Sequence, residues 1–343
     1  MFKVYDADRE CGCRGGISMN SVSGPECRTA TERVRRCGSR SSVWRSLAAA
    51  AFIALAISSK AFAVCSAPVA VQVLGSGGPD SNDARASSGY LLWLDGEARL
   101  LVDAGGGIFL RFGEAKARFE SLDVVAITHL HADHVSDLPA LLKSGFFGDR
   151  QRPLPIVGPS GGDVFPGIKE FMHALFDPER GAFRYLSGYL DGSGGMVRAD
   201  IVEMDAAAET PKAAFGNDRF KLTAIGVKHG PVPALGYLVE VRGRRIAFAG
   251  DQNGDNPAFA TMIKGVDILI MDHAVPEMAD PVARQLHARP SEIGLLAAQA
   301  GVKQLVLSHN MARSLGPLKE NLALIRQHYD GPTKVAEDLM CFD

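Results

Sequence analysis

Seven consecutive residues, Thr128-His129-Leu130-His131-Ala132-Asp133-His134, constrain this chain more than any other stretch. They close an apolar, β-rich run that begins at Leu122. In an extended segment, side chains two apart share a face, so His129 and His131 can bind one metal ion. The chain then turns into a helix, where Asp133 and His134 can face a second ion beside the first. Neutral imidazole and carboxylate suit zinc. Three histidines and an aspartate within six residues are poorly explained as packing. Such a segment needs a strand-to-helix frame and more ligands from elsewhere.

The chain supplies them where strands meet loops, the usual position of site residues in layered folds. His229 follows Thr223–Lys228, Asp251 follows Ile246–Gly250, and His309 follows Gln304–Ser308. From Val69 onward, short apolar strands alternate with amphipathic helices. Strands are expected at Val69–Leu74, Tyr90–Leu94, Arg99–Val102, Leu122–Thr128 and Pro155–Val157. More follow at Lys221–Val227, Leu235–Val241, Arg244–Ala249, Asp267–Met271, Gln304–Ser308 and Lys334–Ala336. Helices fit Ser136–Leu142, Gly167–Phe176, Ser291–Ala300 and Leu315–Gln327. The Gly-rich aromatic stretch 180–197 reads as a surface lid or loop. No linker divides the second part, so residues 64–343 are expected to form one α/β domain of sheets covered by helices.

The first 63 residues read differently. Leu47–Ile57 is an eleven-residue apolar run, preceded by Arg33, Arg35, Arg36, Arg40 and Arg45 and followed by Ala61-Phe62-Ala63. That order is a signal peptide with an A-x-A cleavage site, and the run is too short to span a bilayer. The expected mature protein is periplasmic or secreted, with no stable membrane anchor. Its basic region is long, which suggests an over-extended start with translation beginning at Met19 or beyond. Of six cysteines, Cys65 and Cys341 belong to the mature chain and can form one disulfide in an oxidising compartment. Residues 1–63 carry ten Lys/Arg against five Asp/Glu, and the remainder 27 against 34. An acidic body argues against a broad grip on nucleic acid.

The His-x-His-x-Asp-His segment with its later His, Asp and His resembles the metallo-β-lactamase superfamily over about residues 70–340. The resemblance implies a four-layer αβ/βα sandwich. It assigns His129, His131 and His229 to one metal, and Asp133, His134 and His309 to a second, with Asp251 bridging. Asp103, in Asp103-Ala104-Gly105-Gly106-Gly107, resembles the family's D-x-G residue that supports the ligands; it could equally be a turn former. Leu74-Gly75-Ser76-Gly77-Gly78-Pro79, His229-Gly230-Pro231 and His287-Ala288-Arg289-Pro290-Ser291-Glu292 are similar to the ribonuclease Z and periplasmic arylsulfatase branch. By that analogy His287 protonates a leaving oxygen, although its segment is one residue longer than the branch pattern. His273 is also placed near the site, while Asp272 matches the branch's acidic residue there.

Two departures bear on function. Ribonuclease Z carries a long tRNA-gripping arm between the third His and the bridging Asp, whereas 22 positions separate His229 from Asp251 here. Zinc β-lactamases often place Cys where Asp251 stands. The expectation is an exported dinuclear zinc hydrolase, in which a hydroxide bridging the ions attacks a small ester, phosphodiester or sulfate ester. Asp133 and His287 are the candidate catalytic residues, and a small-molecule ester is the implied partner. A lactone or β-lactam hydrolase on the same centre is the alternative, a tRNA 3′-end endonuclease is disfavoured, and a non-catalytic zinc-binding protein is weakest. Phe146, Phe147, Phe183, Tyr185 and Tyr189 either wall the pocket or belong to the core. The sequence sets neither the natural substrate nor the oligomeric state.

Overall fold

The computed structural model describes residues 65–343. The leader, its cleavage at Ala63 and the start-site argument lie outside the described residues. Among the described residues, fourteen strands form in chain order. They are β1 (Val69–Gly75), β2 (Gly89–Leu94), β3 (Glu97–Val102), β4 (Val124–Ala126), β5 (Leu154–Pro159), β6 (Ala199–Met204) and β7 (Lys212–Gly216). After them come β8 (Lys221–His229), β9 (Val232–Val241), β10 (Arg244–Phe248), β11 (Ile268–Asp272), β12 (Gln304–Ser308), β13 (Thr333–Val335) and β14 (Cys341–Phe342). They make two seven-stranded sheets, ordered β14-β1-β2-β3-β4-β5-β6 and β13-β12-β11-β10-β9-β8-β7.

The four layers follow from period-two burial. In β2, Tyr90, Leu92 and Leu94 face the space between the sheets, while Leu91 and Trp93 face the helices. In the second sheet Ile246, Phe248, Ile268 and Ile270 face inward, and Ala247, Leu269 and Met271 face the opposite helix layer. Both faces are covered, so these strands read as continuous apolar runs rather than alternating ones.

Pairing is antiparallel from β14 through β1 and β2 to β3, then parallel through β4, β5 and β6. The second sheet is antiparallel from β7 to β10 and parallel onward to β13. Parallel neighbours require crossovers. Helices Leu138–Gly145 and Ile168–Phe176 serve the first sheet, and Pro257–Met262, Pro290–Ala300 and Leu318–Arg326 the second. Parallel direction also sends the carboxyl ends of β3, β4, β10, β11 and β12 to one edge. Asp103, His129, Asp251, Asp272 and His309 lie at or just past those ends.

Several expectations need correction. The run from Leu122 is strand over three residues, Val124–Ala126, because the ligand segment leaves the ladder. The single helix expected at Leu315–Gln327 is two, Ala312–Leu315 and Leu318–Arg326, broken at Gly316-Pro317. Stretch 180–197 is not simply a solvated lid. It contains the turn Arg184–Leu186 and the helix Gly188–Asp191, with Leu186 and Tyr189 buried in the helix-side core. The Tyr189 hydroxyl donates to the Leu142 carbonyl at 2.5 Å, so Tyr189 is core rather than pocket wall. Phe147 and Tyr185 are exposed, with the Lys143 ammonium 4.7 and 5.5 Å from their ring centres. Strands β6 and β7 were not anticipated; each sits at a sheet edge and is half-exposed. Cys65 and Cys341 are joined as a disulfide, their Cα atoms 5.7 Å apart, where β14 pairs with β1.

Candidate metal centre

Three imidazoles meet at the first position. His129 Nε2 faces His131 Nδ1 at 3.1 Å, and His229 Nε2 faces the same atom at 3.3 Å. Two nitrogens bound tetrahedrally to one zinc at about 2.0–2.1 Å would lie roughly 3.3 Å apart, so the spacing fits a shared ion. Beside them Asp133, His134 and His309 form a second group, with His309 Nε2 3.1 Å from Asp133 Oδ2 and His134 Nε2 3.6 Å from it. Asp251 spans both. Its Oδ2 lies 3.1 Å from His309 Nε2 and 3.9 Å from both His129 Nε2 and His229 Nε2, and its Oδ1 is 3.6 Å from His134 Nε2.

The surrounding hydrogen bonds select which nitrogen each ring presents. His134 Nδ1 donates to Asp103 Oδ2 at 2.8 Å, and His229 Nδ1 donates to the Leu286 carbonyl at 2.8 Å. Thr128 Oγ1 donates to Asp103 Oδ2 at 2.8 Å and so accepts from His129 Nδ1 at 3.1 Å. Each bond leaves Nε2 as the lone-pair nitrogen facing the centre. His134 Nε2 is buried with no hydrogen-bond partner among the described residues. A buried, unpaired acceptor aimed at a carboxylate pair is costly without a cation, so these residues fit a metal. Asp103 is therefore more than a turn former: it also accepts from the Thr128 amide at 2.7 Å.

The electrostatics agree. Burial holds His129 well below the ordinary histidine value, His131 below it, and His229 at about 4, which keeps them neutral as ligands must be. Burial alone would raise Asp133 and Asp251. For Asp133 the His309 hydrogen bond and the His134 and His309 charges hold it at about 2. For Asp251 the His309 and His134 charges hold it well below the carboxylate range. Burial would lower His134 and His309, yet the carboxylates opposite them, Asp251 first, raise both. Bound cations would take over the role those two protons play in the metal-free protein.

His287 is buried against the centre. Its Nδ1 donates to Asp272 Oδ2 at 2.9 Å and lies 3.9 Å from Asp251 Oδ2. It also groups with His229 and Asp251 closely enough to share an ion. Asp272 is pushed up to about 6, chiefly by burial. His273 does not reach the centre. Asn310 and Asn321 hold its two ring nitrogens at 3.0 and 3.1 Å, so it is a satisfied core histidine. Two contributors escaped the sequence reading, the Leu286 carbonyl and the close approach of Gly78 to the His309 ring. It also passed over Phe165, which lies outside the ligand set with its ring centre 6.1 Å from that of His131.

Comparison with known proteins places this geometry. Residues 98–310 match the family described as beta-lactamase superfamily domain. A curated ribonuclease Z from Methanosarcina mazei is 30% identical over 299 residues, covering 78% of this chain and 95% of that protein. The crystal structure of human tRNase Z, short form, superposes with a TM-score of 0.62 at 22% identity, covering 80% of this chain and 98% of that one. Zn2+-bound PqqB from Methylobacterium extorquens gives 0.58 at 17% identity over 80% and 99%. The solved structures share the fold.

Proposed function

Because the chain belongs to the metallo-β-lactamase superfamily and is a metal-dependent hydrolase, we propose that it is an exported enzyme that uses two zinc ions to cleave small phosphodiesters or sulfate esters. The observation that carries the reading is Asp251, whose carboxylate reaches members of both ligand groups at 3.1–3.9 Å. His129, His131 and His229 would hold one ion, Asp133, His134 and His309 the other, and Asp251 both. Ions held there would lower the pKa of water toward about 7 and offset charge that develops on the ester. The residues do the rest. Asp103 and the Leu286 carbonyl fix ring orientation before substrate arrives. Asp272 holds His287 by Nδ1, leaving Nε2 to pass a proton to the leaving oxygen.

Export is supported by the bond between Cys65 and Cys341, a linkage that persists in oxidising compartments. The match to curated ribonucleases Z supports phosphodiesters as the substrate class and gives a tRNA 3′-end endonuclease as the second reading. Against it, β9 and β10 with their turns take up the whole interval from His229 to Asp251. The test is a substrate panel on purified protein: bis(p-nitrophenyl) phosphate, p-nitrophenyl sulfate, a lactone, a cephalosporin and a precursor tRNA. Chelator should abolish phosphodiester or sulfate-ester turnover and Zn2+ should restore it. Turnover confined to the lactone or cephalosporin, or to the tRNA, would overturn the proposal in favour of the corresponding alternative.

A further inference from the structure

Among the histidines of the centre, His129, His134, His229, His287 and His309 are buried, while His131 is partly buried, as is Asp133, whose side chain is 12% exposed. The centre therefore opens to solvent over the segment His131–Asp133. The ring of Phe165 stands beside that segment. Phe165 meets His131 edge-on, with ring planes at 69° and centres 6.1 Å apart.

The loop that carries Phe165 is built to hold it there. The Gly162 amide donates to the Phe165 carbonyl at 2.9 Å, closing a tight turn. The loop ends are pinched together, since a Cβ on Gly167 would lie 2.6 Å from the Gly161 amide nitrogen. A Cβ on Gly162 would lie 3.1 Å from Pro233, four residues past His229, so the turn rests on the strand that follows a ligand. Pro166 restricts Phe165 to extended backbone. Between Ser160 and Gly167 the one charged residue is Asp163, and Val164 is 80% exposed. The loop has no Lys or Arg to offer a phosphate and presents an apolar, aromatic surface beside the metal centre.

We propose that Phe165 is a specificity-determining residue, a stacking platform for a planar aromatic group on the ester whose phosphate or sulfate enters at His131 and Asp133. The inference rests on the zinc-centre reading and narrows its substrate class to esters bearing an aryl group or a nucleobase. The ring supplies a π-face at low entropic cost, because its turn is already closed before binding.

The test measures binding, so it does not depend on turnover. Zinc-loaded protein is titrated by calorimetry with 2-naphthyl phosphate, adenosine 5′-monophosphate and methyl phosphate, for wild type, Phe165→Ala, Phe165→Leu and Phe165→Tyr. All three ligands share the phosphate; two carry a planar group, and their relative affinities separate aryl from nucleobase. At least one planar ligand should bind wild type about tenfold more tightly than methyl phosphate, the scale of one stacking contact. Phe165→Ala and Phe165→Leu should erase that advantage, with methyl phosphate affinity and zinc content unchanged, and Phe165→Tyr should restore it. No advantage in wild type, or equal weakening of all three ligands by Phe165→Ala, would overturn the proposal. Loss of phosphate binding by every variant and by wild type would instead overturn the reading of the centre.

Discussion

Replacing Asp103 by Asn separates two roles that one carboxylate could play. Asp103 has a left-handed backbone, φ 58°, which Asn adopts about as readily, so a pure turn former would survive the change. Its side chain, however, accepts three hydrogen bonds: from the Thr128 amide at 2.7 Å, Thr128 Oγ1 at 2.8 Å and His134 Nδ1 at 2.8 Å. An Asn oxygen can keep the first. Its amide nitrogen would stand where Oδ2 stood, facing two donors with a third. Leaving a buried donor unpaired costs roughly 1–3 kcal/mol, so the zinc-free protein should lose about 2–4 kcal/mol of stability. Part of that is recoverable if His134 gives up its Nδ1 proton and keeps the one on Nε2, but that nitrogen then points a proton at the metal. Loss of such an orienting partner typically lowers metal affinity about 10–100-fold. Denaturant unfolding of the zinc-free protein and competition against a chromophoric chelator measure the two effects. Unchanged zinc affinity in Asp103→Asn would refute the orienting role and restore the turn-former reading.

Asp251→Ala should lose zinc and activity together, and elemental analysis showing full metal content would rule out bridging. Gly78→Ala would place a Cβ 2.7 Å from His309 Cε1, so the ring must move and zinc affinity at the Asp133–His134–His309 position should fall about tenfold with the fold intact; unaltered chelator competition would contradict this. Cys341→Ser opens a loop of 276 residues and should cost up to about 5 kcal/mol, seen as a lower urea midpoint that reductant no longer shifts. His287→Ala should keep both zincs and lose roughly 10²–10⁴-fold on alkoxide-leaving substrates, but much less on p-nitrophenyl esters. Equal losses on both would make His287 a positioning residue.

Much of the centre is legible in the sequence because its chemistry resides in residue types that are rarely clustered without cause. His129, His131, Asp133 and His134 announce themselves by spacing, and His229, Asp251 and His309 by standing after apolar strands. What holds them in place is far less visible. His229 is oriented by a backbone carbonyl 57 positions away, a group every residue carries. Phe165 lies in a Gly-rich turn with no periodic pattern around it. The edge strands β6 and β7 are half-exposed and mix charge with apolar residues, so no alternation marks them.

The two neighbours Asp272 and His273 show where a finer reading was available. Side chains alternate along a strand. Ile268 and Ile270 face the space between the sheets, so Asp272 belongs to that face and His273 to the helix side with Leu269 and Met271. Parity alone assigns Asp272 to the centre, where it holds His287, and sends His273 to Asn310 and Asn321. The same rule fails at His309. It continues the helix-side series of Leu305 and Leu307, yet its ring enters the centre. The difference is a left-handed backbone, φ 51°, at His309. Asp103 departs in the same way after Leu101, a helix-side residue. A non-glycine residue in that conformation costs on the order of 1–3 kcal/mol, and the surrounding structure must hold it there. At Asp103 the hold is its hydrogen bonds to Thr128 and His134. At His309 it is the Asn310 amide bound to the Ser76 carbonyl at 2.8 Å, which fixes the chain just past the ring. The strand pattern thus locates the edge of the sheets, and two strained residues turn side chains across that edge into one site.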